Sequence, residues 1–205
     1  MAAVTRVHLV RHGEVHNPAE IFYGRLPGFH LSAHGRHQAE GAARVLQDRP
    51  LAALFTSPML RADQTAEIVA APHRALTVQM TDLLNEVHVP VQGRSLRELA
   101  ERGWPVYAGS EPPFEQPQDV LHRVQRFVAE ARQQWAGHEL AAVTHGDVIA
   151  VTMLWAKGIP PSPGDMVSLY LNYVAPASVT TFTYLSTLES EMPSIEYSKP
   201  YPGAR

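Results

Sequence analysis

Hydrophobic and polar positions follow two different periods along this chain. Short apolar runs at Thr5–Val10, Leu51–Thr56, Ala75–Gln79, Leu140–Thr144 and Ser178–Leu185 have the length and β-branched content of strands. Val167, Leu169 and Leu171 alternate with polar residues and read as one more. Between these runs the apolar spacing lengthens to that of helices. One helix opens at Leu31-Ser32 and runs to about Arg49, with Ser32 as N-cap and alanines on its inner face. A second spans Met59 to Ala71 and stops before Pro72. A third runs from Asp119 to Trp135, where Val120, Val124, Phe127, Val128 and Ala131 fall on one face and Gly137 follows. A fourth spans Val148 to Lys157 and closes at Gly158. The capping-box pattern Ser95-Leu96-Arg97-Glu98 opens a shorter one.

Strands interleaved with helices predict a three-layer α/β/α sandwich, built as one domain over residues 1–205. The stretch 87–117 lacks clear periodicity and is rich in Gly and Pro, which predicts a long functional loop or lid. From Glu189 onward the chain carries Pro193, Pro200 and Pro202 and reads as a loose tail. A 45% hydrophobic content excludes general disorder. The net charge of -3 offers no basic footprint, so nucleic acid is not an expected partner. With no cysteine in the chain, disulfides, thiolate metal sites and cysteine nucleophiles are excluded. The run at 7–10 is too short for a signal peptide and leads straight into Arg11. No apolar segment is long enough to cross a membrane, so a cytoplasmic protein without a membrane partner is expected.

Two of the strands end in His-Gly: Arg11-His12-Gly13-Glu14 follows the first, and His145-Gly146-Asp147 follows Leu140–Thr144. In open α/β sheets ligands bind beyond the carboxyl ends of strands, so neighbouring strands would set His12 and His145 across one pocket. An arginine fork beside a nucleophilic imidazole suits a phosphoryl group. Gly13 removes a side chain that would keep a ligand from the backbone. Arg61, in the first turn of the helix after Leu51–Thr56, adds donors where free amides already favour an anion. Glu86, at the entrance to the long loop, supplies a carboxyl. His8, His12 and His16 are spaced four apart, which converges on a metal only in a helix; here the pattern is strand then loop, and no metal site is expected.

These segments, together with Gly24, Leu31-Ser32, Gly35 and Gln38-Ala39 in the same order, resemble the histidine phosphatase superfamily, which includes the cofactor-dependent phosphoglycerate mutases. The resemblance implies that superfamily's mostly parallel, mixed six-stranded sheet. It implies that His12 is the nucleophile that becomes phosphorylated, that Arg11, Arg61 and His145 line the phosphate pocket, and that Glu86 is general acid and then base. Asn17, Gly24 and Gly146 are implied to lie at the bound phosphate, with Glu14 in a supporting role.

The expected activity is metal-independent hydrolysis of a small phosphomonoester, with no cofactor. A phosphoglycerate mutase is the alternative. Mutases carry extra cations on an inserted segment, whereas Glu101 to Gln118 holds Arg102, no lysine, and Glu111 and Glu115. A non-catalytic phosphate sensor on the same fold is more remote, because all five candidate catalytic groups are present. His16, Tyr23, Arg25, Phe29, His30, His88 and Tyr107 are candidates for the pocket mouth. A homodimer is compatible with the sequence.

Overall fold

Alternation along the strands sorts the apolar side chains onto two faces, and each face carries its own core. The computed structural model describes residues 4–170, 173–185 and 192–201. Its sheet holds six strands: β1 (Thr5–Arg11), β2 (Leu51–Thr56), β3 (Val78–Met80), β4 (Glu139–Thr144), β5 (Val179–Tyr184) and β6 (Ser194–Ser198). The spatial order is β3-β2-β4-β1-β5-β6. The first four run parallel, β5 pairs antiparallel with β1, and β6 antiparallel with β5. One face is covered by helices α1 (Ala33–Leu46) and α2 (Leu60–Ala70), which bury Ala42, Leu46, Ala62, Ala66 and Val69 against Val10, Leu54, Ala141 and Val143. The other is covered by α4 (Pro117–Gln134) and α5 (Gly146–Ala156), packed on Val7, Leu9, Phe55, Leu140 and Phe182. This is the three-layer sandwich with a mostly parallel, mixed sheet that the sequence implies. Two short helices, α3 (Leu96–Glu101) and α6 (Pro163–Tyr170), add Leu99 and Met166 to this second core. Among the described residues no helix is long and apolar enough to cross a membrane.

Register places the site. Arg11 pairs with Thr144 across β1 and β4, so the next residues, His12 and His145, leave the sheet side by side. The His12 N–H donates to the Thr144 carbonyl (3.0 Å), and the Ser57 N–H to that of Val143 (3.0 Å). His12 and Ser57 are therefore held by the ladder itself rather than by a free loop, and His145 follows directly on β4.

Three expectations are corrected. Val167, Leu169 and Leu171 do not form a strand: the first two lie in α6, and Leu171 lies outside the described residues. Three alternating apolar residues are too few to separate the periods, and the local signal is a helix start. Ser162, just before Pro163, accepts the Asp165 N–H (3.2 Å). The sixth strand comes instead from the expected loose tail. Ser194–Ser198 pairs along β5, Ile195 packs on the main core, the Tyr197 hydroxyl accepts the Ala175 N–H (2.9 Å), and Tyr201 sets its ring edge-on to His34. Without β6, β5 would leave a row of backbone groups unpaired, and the flanking Pro193 and Pro200 fall outside the ladder where no donor is needed.

The segment 87–117 is irregular apart from α3, as its lack of periodicity predicts, and it is folded onto the core. Val87, Val89, Val91, Leu99, Val106 and Tyr107 are buried in it. Finally, the Ser95–Glu98 capping box does not form. Ser95 makes no side-chain cap bond, and Glu98 pairs with Arg94 and Arg102 instead (3.4 Å each). Such a box opens α4, where the Gln116 and Asp119 side chains cap each other's backbone amides.

Gly13 has a different reason from the one expected. A Cβ there would stand 2.3 Å from the Gly35 carbonyl oxygen, and a Cβ on Gly35 would stand 2.0 Å from that of Glu14. The two glycines let the first turn of α1 sit directly on the chain leaving β1, and Ser32 caps that turn by accepting the Gly35 N–H (2.9 Å). Glu14 completes the clasp, accepting from the Ser32 hydroxyl (2.6 Å). Because the obstacle is backbone, Gly35→Ala should lose about 1–3 kcal/mol or more of stability. Urea unfolding reads this directly, and an unchanged midpoint would contradict the close packing.

Candidate active site

His12 is buried, with its Nδ1–H donating to the Gly13 carbonyl at 2.7 Å. That bond selects the tautomer: Nε2 is left as the acceptor, pointing away from the sheet. Burial, then the charges of Arg61 and Arg11, hold its pKa well below the usual histidine value, so the ring is neutral at ordinary pH.

Arg61 is the centre of the site. It stands second in α2, 1% exposed, as the sequence position predicts. Its Nε–H donates to His12 Nε2 (3.2 Å), and its Nη2 donates to the Gly24 carbonyl (2.8 Å) and to His145 Nδ1 (3.1 Å). The same nitrogen lies 3.6 Å from Glu86 Oε2, and the guanidinium rests over the Tyr23 ring at 4.7 Å. Gly24 thus serves the site through its carbonyl, with a positive φ of 44° and its Cα against Gln92.

His145 is fully buried and also held neutral, first by burial and then by Arg61. Because its Nδ1 accepts from Arg61, its Nε2–H donates to Ser57 Oγ (2.8 Å), and Ser57 in turn reaches Asn85 Oδ1 (3.3 Å). Sequence reasoning gave Ser57 no role, although it follows directly on β2, four residues before Arg61. Only the register of β2 against β4 reveals what it orients.

Glu86 is 8% exposed and accepts the Val87 N–H at 2.9 Å. Its Oε2 lies 3.5 Å from His145 Nδ1. Burial, then the neighbouring Asp147 carboxylate, push its pKa up to about 7, against the pull of Arg61. A carboxyl that titrates there holds or releases a proton at physiological pH.

Arg11 lies half-buried at the mouth, with a donor to the Val174 carbonyl and its guanidinium 4.8 Å above the Tyr173 ring. Its Nε is buried and meets no acceptor among the described residues. Arg11, Glu86, Gly24, Tyr23, Asp147 and Tyr173 share one cavity of about 260 Å³. Asp147, which carried no assignment from sequence, is buried and accepts from the hydroxyls of Tyr107 (2.7 Å) and Tyr173. These tyrosines lie 40 and 26 residues away, so no local motif announces the cluster.

Two of the residues implied to lie at the phosphate have partners within the chain. The Asn17 side chain is engaged by its own turn, donating to the Ile21 carbonyl (2.9 Å) and accepting the Ile21 N–H (3.3 Å). Gly146 opens α5, and a Cβ on it would stand 2.4 Å from the Tyr173 hydroxyl and 2.5 Å from its ring, so its smallness admits Tyr173. Of the candidate mouth residues, Phe29 stacks on Tyr23, His16 on His30, and His88 packs on Phe114. Arg25 pairs with Glu115 (2.8 Å), which also holds Arg123 (2.8 Å).

The ligand atoms of His12, Glu86 and His145 lie within 4.8 Å of one another, a spacing that fits a metal ion. The donor set does not. Both imidazole acceptors already take N–H groups from Arg61, whose cation occupies the space between them.

A buried pair of strand-end histidines bridged by a helix-borne arginine, on a parallel sheet, defines the class. The family profile for the histidine phosphatase superfamily (branch 1) matches residues 7–187, and the chain belongs to that superfamily. It is 41% identical over 165 residues to an uncharacterized protein of Mycobacterium tuberculosis, covering 77% of this chain and 81% of that one. It is 28% identical over 161 residues to the uncharacterized phosphatase PhoE of Bacillus subtilis, covering 77% and 80%. Among solved structures it is similar to a mycobacterial glucosyl-3-phosphoglycerate phosphatase, with a TM-score of 0.78 and 24% identity over 96% of this chain and 99% of that one; this likeness concerns the fold.

Proposed function

We propose that the protein hydrolyses a small phosphomonoester through a phosphohistidine formed on His12, without a metal ion. The observation that carries this reading is the His12 ring. Its Nδ1–H is pinned to Gly13, its Nε2 faces Arg61, and Glu86 stands beside the same guanidinium, its carboxylate within 4.8 Å of the His12 ring nitrogen.

An entering phosphoryl group takes its oxygens to Arg11 and Arg61. An oxygen that accepts the Arg61 Nε–H releases the His12 Nε2 lone pair for in-line attack on phosphorus. As the Nε2–P bond forms and the ester P–O bond breaks, Glu86 gives its proton to the departing alkoxide. Water then attacks phosphorus, Glu86 takes back a proton, and the P–N bond breaks to return neutral His12 and inorganic phosphate. Arg61 and Arg11 supply the positive charge against which the transferring group is stabilised.

Hydrolysis is favoured over mutase activity by the cations near the cavity. Arg25 and Arg123 both pair with Glu115, which offsets part of their charge and engages the guanidinium donors that the second phosphoryl group of a bisphosphate intermediate would need. The designation of the Bacillus subtilis relative as a phosphatase supports the same choice.

Steady-state turnover of p-nitrophenyl phosphate in excess EDTA tests the reading. Turnover is expected; a folded protein that binds phosphate without turning over the ester would make it a sensor, and stimulation only by 2,3-bisphosphoglycerate would make it a mutase. The pH profile carries a sign. His12 must be neutral, which holds above its lowered pKa, and Glu86 must be protonated, which holds below about 7. kcat/KM should therefore be flat on the acid side of neutrality and fall about tenfold per pH unit above about 7. A rate that rises through that range would remove Glu86 as the acid.

A further inference from the structure

The cavity that Arg11 and Glu86 share is also lined by residues that take no part in the proposed chemistry. Beyond Arg11 and Glu86 it is lined by Ile21, Phe22, Leu96 and Trp104, with Asp147 as the charged group on that side. Arg25, the cation adjoining Gly24 in sequence, is turned to Glu115 and to the Glu86 carbonyl (2.6 Å). Arg11 and Arg61 are the groups that hold phosphoryl oxygens. Past them, an alcohol portion of the ester meets apolar and aromatic surface and a carboxylate.

Each feature selects. Apolar surface on the alcohol is taken out of water against Phe22, Leu96 and Trp104. Hydroxyls of a sugar or polyol lose water there and find few partners. A carboxylate on the substrate faces Asp147, whose oxygens are turned to Tyr107 and Tyr173, and among the described lining residues the one cation is Arg11, which the phosphoryl group engages. We infer that the substrate is a phosphomonoester of an apolar or aromatic-bearing alcohol without negative charge, and that phosphoglycerates and sugar phosphates are poor substrates. This rests on the hydrolase reading above.

The test uses esters of primary alcohols with comparable leaving groups, so that chemistry is held level and the wall alone discriminates: 2-phenylethyl phosphate, glycerol 3-phosphate and 3-phosphoglycerate. For the intact chain, kcat/KM for the phenylethyl ester should exceed that for either of the others by about tenfold or more. Equal values, or a preference for 3-phosphoglycerate, would overturn the inference and leave the hydrolase standing. No turnover of any ester by folded protein would overturn both. Two variants locate the effect, each read as a ratio between substrates so that any loss of folded enzyme cancels. Trp104→Ala should shrink the phenylethyl-to-glycerol ratio several-fold, and Asp147→Asn should raise the 3-phosphoglycerate-to-glycerol ratio. Ratios unchanged in both would show that this wall does not choose the substrate.

Discussion

His12→Ala should remain folded and lose about ten-thousand-fold or more of kcat on p-nitrophenyl phosphate. Nothing else in the cavity replaces it. His145, its neighbour at 5.2 Å between ring centroids, has Nδ1 committed to Arg61 and Nε2 to Ser57, so it offers no lone pair to phosphorus. Without His12 the remaining arginines still bind the ester, so KM should change far less than kcat. Added imidazole, entering the space left by the ring, should restore part of the rate because Arg61 and Glu86 stay in place. A variant that keeps more than about a tenth of the wild-type kcat would mean that water attacks the ester directly, with the histidine as an orienting group.

Arg61→Ala has the second largest expected effect, a fall in kcat of about a thousand-fold. The guanidinium makes three hydrogen bonds, to His12, His145 and Gly24, and faces Glu86. Its removal strips the transition state of a bidentate donor and leaves buried acceptors unpaired, so some stability goes with the activity. Arg61→Lys should recover little, since one ammonium cannot span both imidazoles. The electrostatic consequence is more diagnostic than the size of the loss. Arg61 holds the pKa of Glu86 down and also those of His12 and His145. In Arg61→Ala the alkaline limb should move above its position near pH 7, and the acid limb should move up with it. Limbs that stay fixed would mean that these groups do not set the profile.

The sequence displayed the centre of this site more fully than its surroundings, for physical reasons. His12 and His145 could be read because each follows directly on a buried parallel strand, and the β1–β4 register then brings them together. Arg61 could be read because a helix start after a strand aims its first turn at the same edge. Local order carried these residues, and local order is what periodicity reports. Asp147, Tyr107 and Tyr173 meet across three segments whose sequence shows only a carboxylate and two aromatics in unremarkable surroundings. Asn17 matched a phosphate contact by type, but its amide closes the turn to Ile21, a competition that short polar side chains often win. Gly13 and Gly146 were assigned to the ligand, whereas their missing Cβ atoms admit Gly35 and Tyr173. The sixth strand was hidden by the prolines around it, and its pairing depends on the open edge of β5 rather than on its own pattern.

The account turns on the bond between His12 Nε2 and phosphorus. Rapid-quench labelling with a 32P-phosphomonoester, followed by alkaline digestion and peptide mapping, measures it directly. The expected result is label approaching one phosphate per chain in the burst phase, acid-labile and base-stable, confined to the peptide containing His12 and absent from His12→Ala. Label on another residue, or full turnover with no labelled protein at any quench time, would contradict it.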